Sequence, residues 1–228
     1  CFDKRYFDVR VILPKYACMK QEWKDKMEYI THFYMDLGYK NCYVGIMHME
    51  YEGIQFYFID NEYYFARPGI YGYYDEAERY AFFSQAVLAA LPAIEFYPDV
   101  LHLNDWQTGM IPFLLQQQYP QYKEMKTLFT IHNLAYQGVF PQDIMGNLFG
   151  VDDYGATVQG IEFYGQVNFM KAGITYADFV NTVSTTYAAE ICTEYFGEKL
   201  DGALRDRGQR LSGIVNGIRS EEHTSELQ

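Results

Sequence analysis

Residues 126–141 read KTLFTIHNLAYQGVFP, an apolar run that stops abruptly at polar residues and a glycine. Leu128, Phe129 and Ile131 predict a short strand buried on both faces, and His132 and Asn133 fall where that strand leaves the sheet. In a parallel sheet that edge is where ligands bind. Asp99 to Leu103 (DVLHL) repeats the pattern, ending in Asn104, Asp105, Trp106 and Gln107 before Thr108 and Gly109 open a helical stretch. Two strand ends of one design predict one crevice.

Outward from these two stretches, strands alternate with helices. Val9 to Leu13 (VRVIL) reads as a strand with no partner before it, and Glu22 to Phe33 as a helix passing into a strand. Tyr43 to Tyr51 and Ile54 to Asp60 predict a hairpin turning at Glu52-Gly53. Asn61 to Tyr74 is a tyrosine-rich loop punctuated by Pro68, Gly69 and Gly72. Asp75 to Leu91 (DEAERYAFFSQAVLAAL) is the clearest helix: Asp75 is placed to cap it, Glu76 and Glu78 suit its first turn, and its apolar residues recur at 3.6 spacing. Further helices are expected over 109–118, 142–149, 167–176 and 185–195, with strands over 179–183 and 213–218. The alternation predicts an α/β fold, a mainly parallel sheet flanked by helices.

Composition bounds the function. The chain has 228 residues, 49% hydrophobic and 18% aromatic, enough to bury a large core. A net charge of -12 and a pI near 4.8 argue against nucleic acid, because no basic stretch exists to displace counterions from phosphates. Cys1, Cys18, Cys42 and Cys192 lack CxxC or Cys/His ligand spacing, so they are expected to be reduced thiols of a cytoplasmic protein, without a structural metal. No apolar run reaches the roughly 20 residues of a membrane helix. Residues 219–228, RSEEHTSELQ, are polar and aperiodic; they resemble the translation of a short-read sequencing adapter, which implies a non-native tail after a domain spanning 1–218.

HLNDWQTG at 102–109, FTIHNLAYQGVFP at 129–141, NFMKAGITYAD at 168–178, VSTTYAAEI at 183–191 and GIVNGI at 213–218 together resemble the amino-terminal catalytic domain of bacterial glycogen synthases and plant starch synthases. DEAERYAFFSQAVL at 75–88 fits the same family. The resemblance implies two Rossmann-like domains facing across a cleft, the GT-B arrangement, of which this chain is the first. It also implies a retaining transferase that extends an α-1,4-glucan acceptor from ADP-glucose or, less often, UDP-glucose, with no cofactor.

Carried over residue by residue, His132 resembles the histidine that contacts the donor glucose and offsets positive charge at the anomeric carbon. Asp105 resembles the acidic residue on the sugar side of the cleft, where a carboxylate accepts from sugar hydroxyls. The bland readings are a histidine capping the next turn and an aspartate capping the helix ahead of Thr108. Trp106 reads as packing. Gln107 stands where some relatives carry histidine, so it offers hydrogen bonds without protonation chemistry. Asn133, Tyr136, Gln137 and Gly138 complete the loop, with Gly138 the expected site of a positive backbone angle and Tyr136 a candidate contact for the acceptor. Lys171 is a candidate to reach the cleft from its helix, against the commoner case of a snorkelling lysine. The tyrosine-rich loop is a candidate stacking surface.

The family's phosphate loop, a KxGG pattern after the first strand, is not among these residues, nor is a second domain, so the chain alone is expected to be inactive. A hydrolase needs two carboxylates flanking the scissile bond; beside Asp105 the candidates are Asp152, Asp153 and Glu162. A non-catalytic glucan-binding protein is the third possibility.

Overall fold

The computed structural model describes residues 3, 5–151 and 160–217. Cys1, Asp152, Asp153, Ile218 and the 219–228 segment lie outside the described residues.

In chain order the elements are β1 (Arg10–Pro14), α1 (Gln21–Lys24), β2 (Glu28–Leu37), β3 (Lys40–Tyr51), β4 (Ile54–Asp60), α2 (Glu62–Phe65), α3 (Glu76–Ala90), β5 (Val100–Asn104), α4 (Ile111–Gln118), β6 (Lys126–Ile131), β7 (Val139–Pro141), α5 (Ile144–Phe149), β8 (Glu162–Phe163), β9 (Gln166–Asn168), α6 (Phe169–Tyr176), β10 (Phe179–Thr182), α7 (Thr185–Glu190), α8 (Asp201–Arg205) and β11 (Leu211–Gly213). They make an α/β fold with three sheets among the described residues. One is ordered β1-β4-β3-β2, one β11-β10-β6-β5, and a small antiparallel one β7-β9-β8. The second sheet is wholly parallel, as the apolar runs predict. The first is mixed: β1 runs parallel to β4, while β2, β3 and β4 form an antiparallel meander.

The β3–β4 hairpin turns where the sequence places it. Glu52 and Gly53 both take positive φ, at 51° and 72°, which suits a two-residue turn matched to the strands' right-handed twist. Glu22 to Phe33 resolves into the short α1 and the start of β2. β1 pairs with the later strand β4, and among the described residues no strand pairs with its other edge.

Among the described residues β1 and β5 are each the edge strand of their sheet, and contacts link their neighbourhoods. Arg10, opening β1, lays its guanidinium over Phe96, ahead of β5, at 4.0 Å. Beyond the other end of β1, Tyr16 meets the Tyr80 hydroxyl at 3.3 Å, and Tyr80 packs edge-on against Trp106, just after β5, at 4.9 Å. Among the described residues no ladder bond joins β1 to β5.

Several expectations need correction. α3 is not amphipathic, because its residues from Arg79 to Leu88 are all buried, polar ones included. It lies against β2, β4, α4 and α5, so it bridges both four-stranded sheets. Asp75 does not cap it: the carboxylate is held by Arg67 through two 2.6 Å bonds, and Glu76 accepts from Gly72 N instead. The helix expected over 167–176 starts at Phe169, because Val167 and Asn168 belong to β9. The final strand is Leu211–Gly213 rather than 213–218, although Ile214 N still donates to the Thr182 carbonyl. The helices expected over 109–118 and 185–195 are shorter, the first preceded by a 3₁₀ turn at Trp106–Thr108.

The tyrosine-rich loop is anchored from below. Arg79, fully buried, donates Nε to the Tyr64 carbonyl and Nη1 to the Ile70 carbonyl, both at 2.9 Å. Asn61 caps α2 through Tyr64 N.

The Arg67–Asp75 pair gives a pH-dependent prediction. The guanidinium holds the Asp75 carboxyl below its usual range. A depressed folded pKa stabilises the protein above the unfolded value, near 4, and that contribution disappears as pH falls through the lower folded value. Asp75→Asn is therefore expected to cost about 1.5–3 kcal/mol at pH 7, the usual value of hydrogen bonds to charged groups. Urea unfolding at pH 7 and pH 2.5 checks this; an equal loss at both would exclude the ion pair as its source.

Candidate functional site

β5 and β6 are parallel neighbours in the register Asn104↔Thr130, so both strands open at the same end of the sheet. Asp105 follows β5 with φ 55° and ψ -179°, a region that only glycine populates without cost. Three contacts hold it there. Its N–H donates to the Thr130 carbonyl at 2.9 Å, its carbonyl accepts from Thr108 N at 3.1 Å, and its Oδ1 accepts from His132 N at 2.8 Å. Asp105 thus ties the end of β5 to the first residue beyond β6. It does not cap the following helical turn with its side chain.

The His132 ring is exposed, and its Nε2 lies 3.0 Å from Asn104 Oδ1. His132 is not a turn cap; the turn is made by Asn133, whose Oδ1 accepts from Ala135 N at 3.0 Å. Trp106 packs as expected, buried against Tyr80, Phe140 and Phe169. Gly138 takes φ 63° and lies on the Trp106 ring, where an added Cβ would fall 2.2 Å from a ring carbon.

The remaining loop residues divide between exposed groups and structural ties. Tyr136 is 69% exposed, and Gln107 is half-buried with no side-chain hydrogen bond among the described residues. Gln137 is fully engaged, accepting from Asn168 Nδ2 at 2.6 Å and donating to the Glu198 carbonyl at 3.0 Å. Lys171 turns its ammonium to the Glu162 carbonyl at 2.6 Å, and burial pushes its pKa down. The Glu162 carboxylate accepts from Gly165 N and so closes a turn.

Sequence reasoning passed over two residues. Asn168 caps α6 through Lys171 N and holds Gln137 with its amide; its place three residues before Lys171 was the available signal. His102 lies on the same face of β5 as Asn104 and donates Nε2–H to Thr130 Oγ1 at 2.6 Å, since that hydroxyl itself donates to Asn181. Burial, with His132 nearby, lowers the His102 pKa. The alternation of LHLN places His102 and Asn104 together.

A hollow of about 520 Å³ lined by Tyr97, Asp99, Gln121, Tyr122 and Glu124 lies at the opposite ends of β5 and β6. Asp105 and Gln107 follow the carboxyl end of β5, and His132, Asn133 and Tyr136 follow that of β6.

Two substitutions test this geometry. Asp105→Ala keeps the unfavourable backbone and loses the acceptor for His132 N, whereas Asp105→Gly loses only the acceptor. The glycine variant is expected to be more stable than the alanine variant by about 1 kcal/mol in urea unfolding; the reverse order would show that the strain is not there. Gly138→Ala should cost about 1–3 kcal/mol through its clash with Trp106, and a near-neutral midpoint would count against that packing.

The family model for the starch synthase catalytic domain matches residues 2–206. Glycogen synthase of Anoxybacillus flavithermus is 50% identical over 217 residues, which span 94% of this chain and 45% of that protein. Glycogen synthase of Desulforamulus reducens is 51% identical over 215 residues, with 93% and 45% covered. The catalytic domain of starch synthase IV from Arabidopsis thaliana, solved bound to ADP and acarbose, superposes with a TM-score of 0.86 at 29% identity, covering 96% of this chain and 46% of that one. The chain thus spans about half the length of the curated relatives it matches. With its Rossmann-like parallel sheet and the HLNDWQTG and FTIHNLAYQG strand ends side by side, the chain belongs to the starch synthase catalytic domain family.

Proposed function

We propose that the protein carrying this chain transfers glucose, with retention of configuration, from ADP-glucose or, less often, UDP-glucose to the end of an α-1,4-glucan, and that this chain supplies the wall of the cleft that meets the sugar. The observation that carries the reading is the junction of Asp105 and His132 at the carboxyl ends of two parallel strands, where α/β folds bind ligands. The solved relative bound to ADP and acarbose supports a nucleotide and a carbohydrate as ligands.

In this reading the His132 imidazole and its backbone carbonyl orient the donor glucose and offset positive charge at its anomeric carbon. Asp105 has one oxygen committed to His132 N, and its other oxygen, without a partner among the described residues, accepts from a sugar hydroxyl. Asn133 and Gln107 add hydrogen bonds, Tyr136 meets the glucan, and Gly138 lets the loop pass over Trp106. Gln137 and Lys171 act by holding the loop and the β8 turn in place rather than by touching sugar.

The edge positions of β1 and β5 support a further strand running parallel between them. That strand would join the two four-stranded sheets and open beside Asp105, where a glycine-rich loop would receive the donor diphosphate. A second domain would close the cleft opposite. Among the described residues no helix is long and apolar enough to cross a membrane, and a cytoplasmic enzyme is the setting we propose.

The test measures labelled glucose entering glycogen from ADP-glucose or UDP-glucose, using a chain of the relatives' full length that contains these residues. His132→Ala is expected to lower kcat by about 10²–10³, the usual loss when a group stabilising transition-state charge is removed. No transfer by the unsubstituted protein from either donor would refute the reading. Transfer by the 228 residues alone would refute the need for a second domain.

A further inference from the structure

We propose that Asn104 is a positioning residue for His132: its side-chain carbonyl takes the ring's Nε2–H and leaves Nδ1 as the acceptor presented to a hydroxyl donor in the crevice. The inference rests on the reading of His132 as a sugar contact and deepens it.

The two residues meet because of sheet register. Asn104 pairs with Thr130, and the period of two puts His132 on the same face as Thr130, beyond the end of its strand. The ring lies back across β5 with Nε2 at 3.0 Å from Asn104 Oδ1 while the His132 amide is held by Asp105 Oδ1 at 2.8 Å. Two consecutive residues of one strand end thus hold the backbone and the ring of a single histidine. A carbonyl oxygen accepts and cannot donate, so the nitrogen facing it carries the proton. Neutral imidazole then has one acceptor left, Nδ1, which makes no hydrogen bond among the described residues on a side chain open to solvent.

The neighbouring histidine follows the same logic within the sheet. His102 gives its Nε2–H to Thr130, which passes a proton on to Asn181, so that chain of bonds is closed within the sheet. Asn104 lies outside it and is free to serve His132 alone. The consequence is chemical: a neutral His132 fixed in this way recognises a hydroxyl as a donor, and a residue at 104 that donated instead would turn the ring's acceptor away from the crevice.

The experiment is ring-nitrogen NMR on this chain with ¹⁵N-labelled histidine, at a pH above the histidine range, with His132 assigned by difference against His132→Gln. The expected result is an Nε2-protonated His132 in the parent chain, unchanged in Asn104→Asp, which can accept but not donate. In Asn104→Leu the Nε2 proton should exchange with water at least tenfold faster. An Nδ1-protonated ring in the parent, a tautomer that switches in Asn104→Asp, or undiminished protection in Asn104→Leu overturns the proposal. Thermal midpoints of both variants report folding, and if Asn104→Leu does not fold, the parent and Asn104→Asp decide between them. Titration with glucose separates this proposal from the reading beneath it. A perturbation at Nδ1 supports both, and one confined to Nε2 overturns the role of Asn104; in a chain of the relatives' full length titrated with ADP-glucose, no perturbation with the tautomer in place refutes the sugar contact while Asn104 keeps its hold.

Discussion

The site depends on one bond, from the His132 amide to the Asp105 carboxylate. Asp105 occupies a backbone region that side chains avoid at a cost of about 1–3 kcal/mol. The cost is tolerated because the neighbouring strand meets the residue on two sides, through the Thr130 carbonyl and the His132 N–H. In return the carboxylate is turned toward β6 rather than along its own helical turn. Without that conformation the two strand ends would lie side by side but would not be joined, and the loop from His132 to Gly138 would lose its anchor.

From that junction the loop is passed from one support to the next. Asn133 turns it, Gly138 lets it cross Trp106 in near contact, and Gln137 ties it to Asn168 at the start of α6. α6 is in turn held at its far end by Arg207, whose guanidinium donates to the carbonyls of Thr175 and Asp178. Positioning by ordered elements of this kind reduces what binding must spend on ordering the groups that touch a ligand.

Much of this was legible in the sequence. The apolar runs ending in ND and HN locate two neighbouring parallel strands, and the EG pair locates the hairpin turn, because each is a local signal with one physical solution. The misses share a cause, which is competition that only tertiary structure resolves. Asp75 precedes a helix as a cap should, yet Arg67 offers its carboxylate a stronger partner than the helix amides. Arg79, Ser84 and Gln85 look like the wet face of α3 and are buried, since that helix is covered on every side. β8 and β9, of two and three residues, are too short for alternation to show. The positive φ of Asp105 has no sequence signal, because aspartate gives no notice of it.

The central helix α3 gives the molecule its cooperativity. The two larger sheets share no hydrogen-bonded strand pair, so what unites them is a hydrophobic rod packed against β2 and β4 on one side and α4 and α5 on the other. Each half also has buried contacts of its own, Met27, Met49 and Phe58 in the meander and Phe113, Phe129, Ile174 and Val180 around the parallel sheet, and α3 joins them. A cut between α3 and β5 would leave α3 on the meander and strip it from α4 and α5, so the piece that begins at β5 would lose one of its walls.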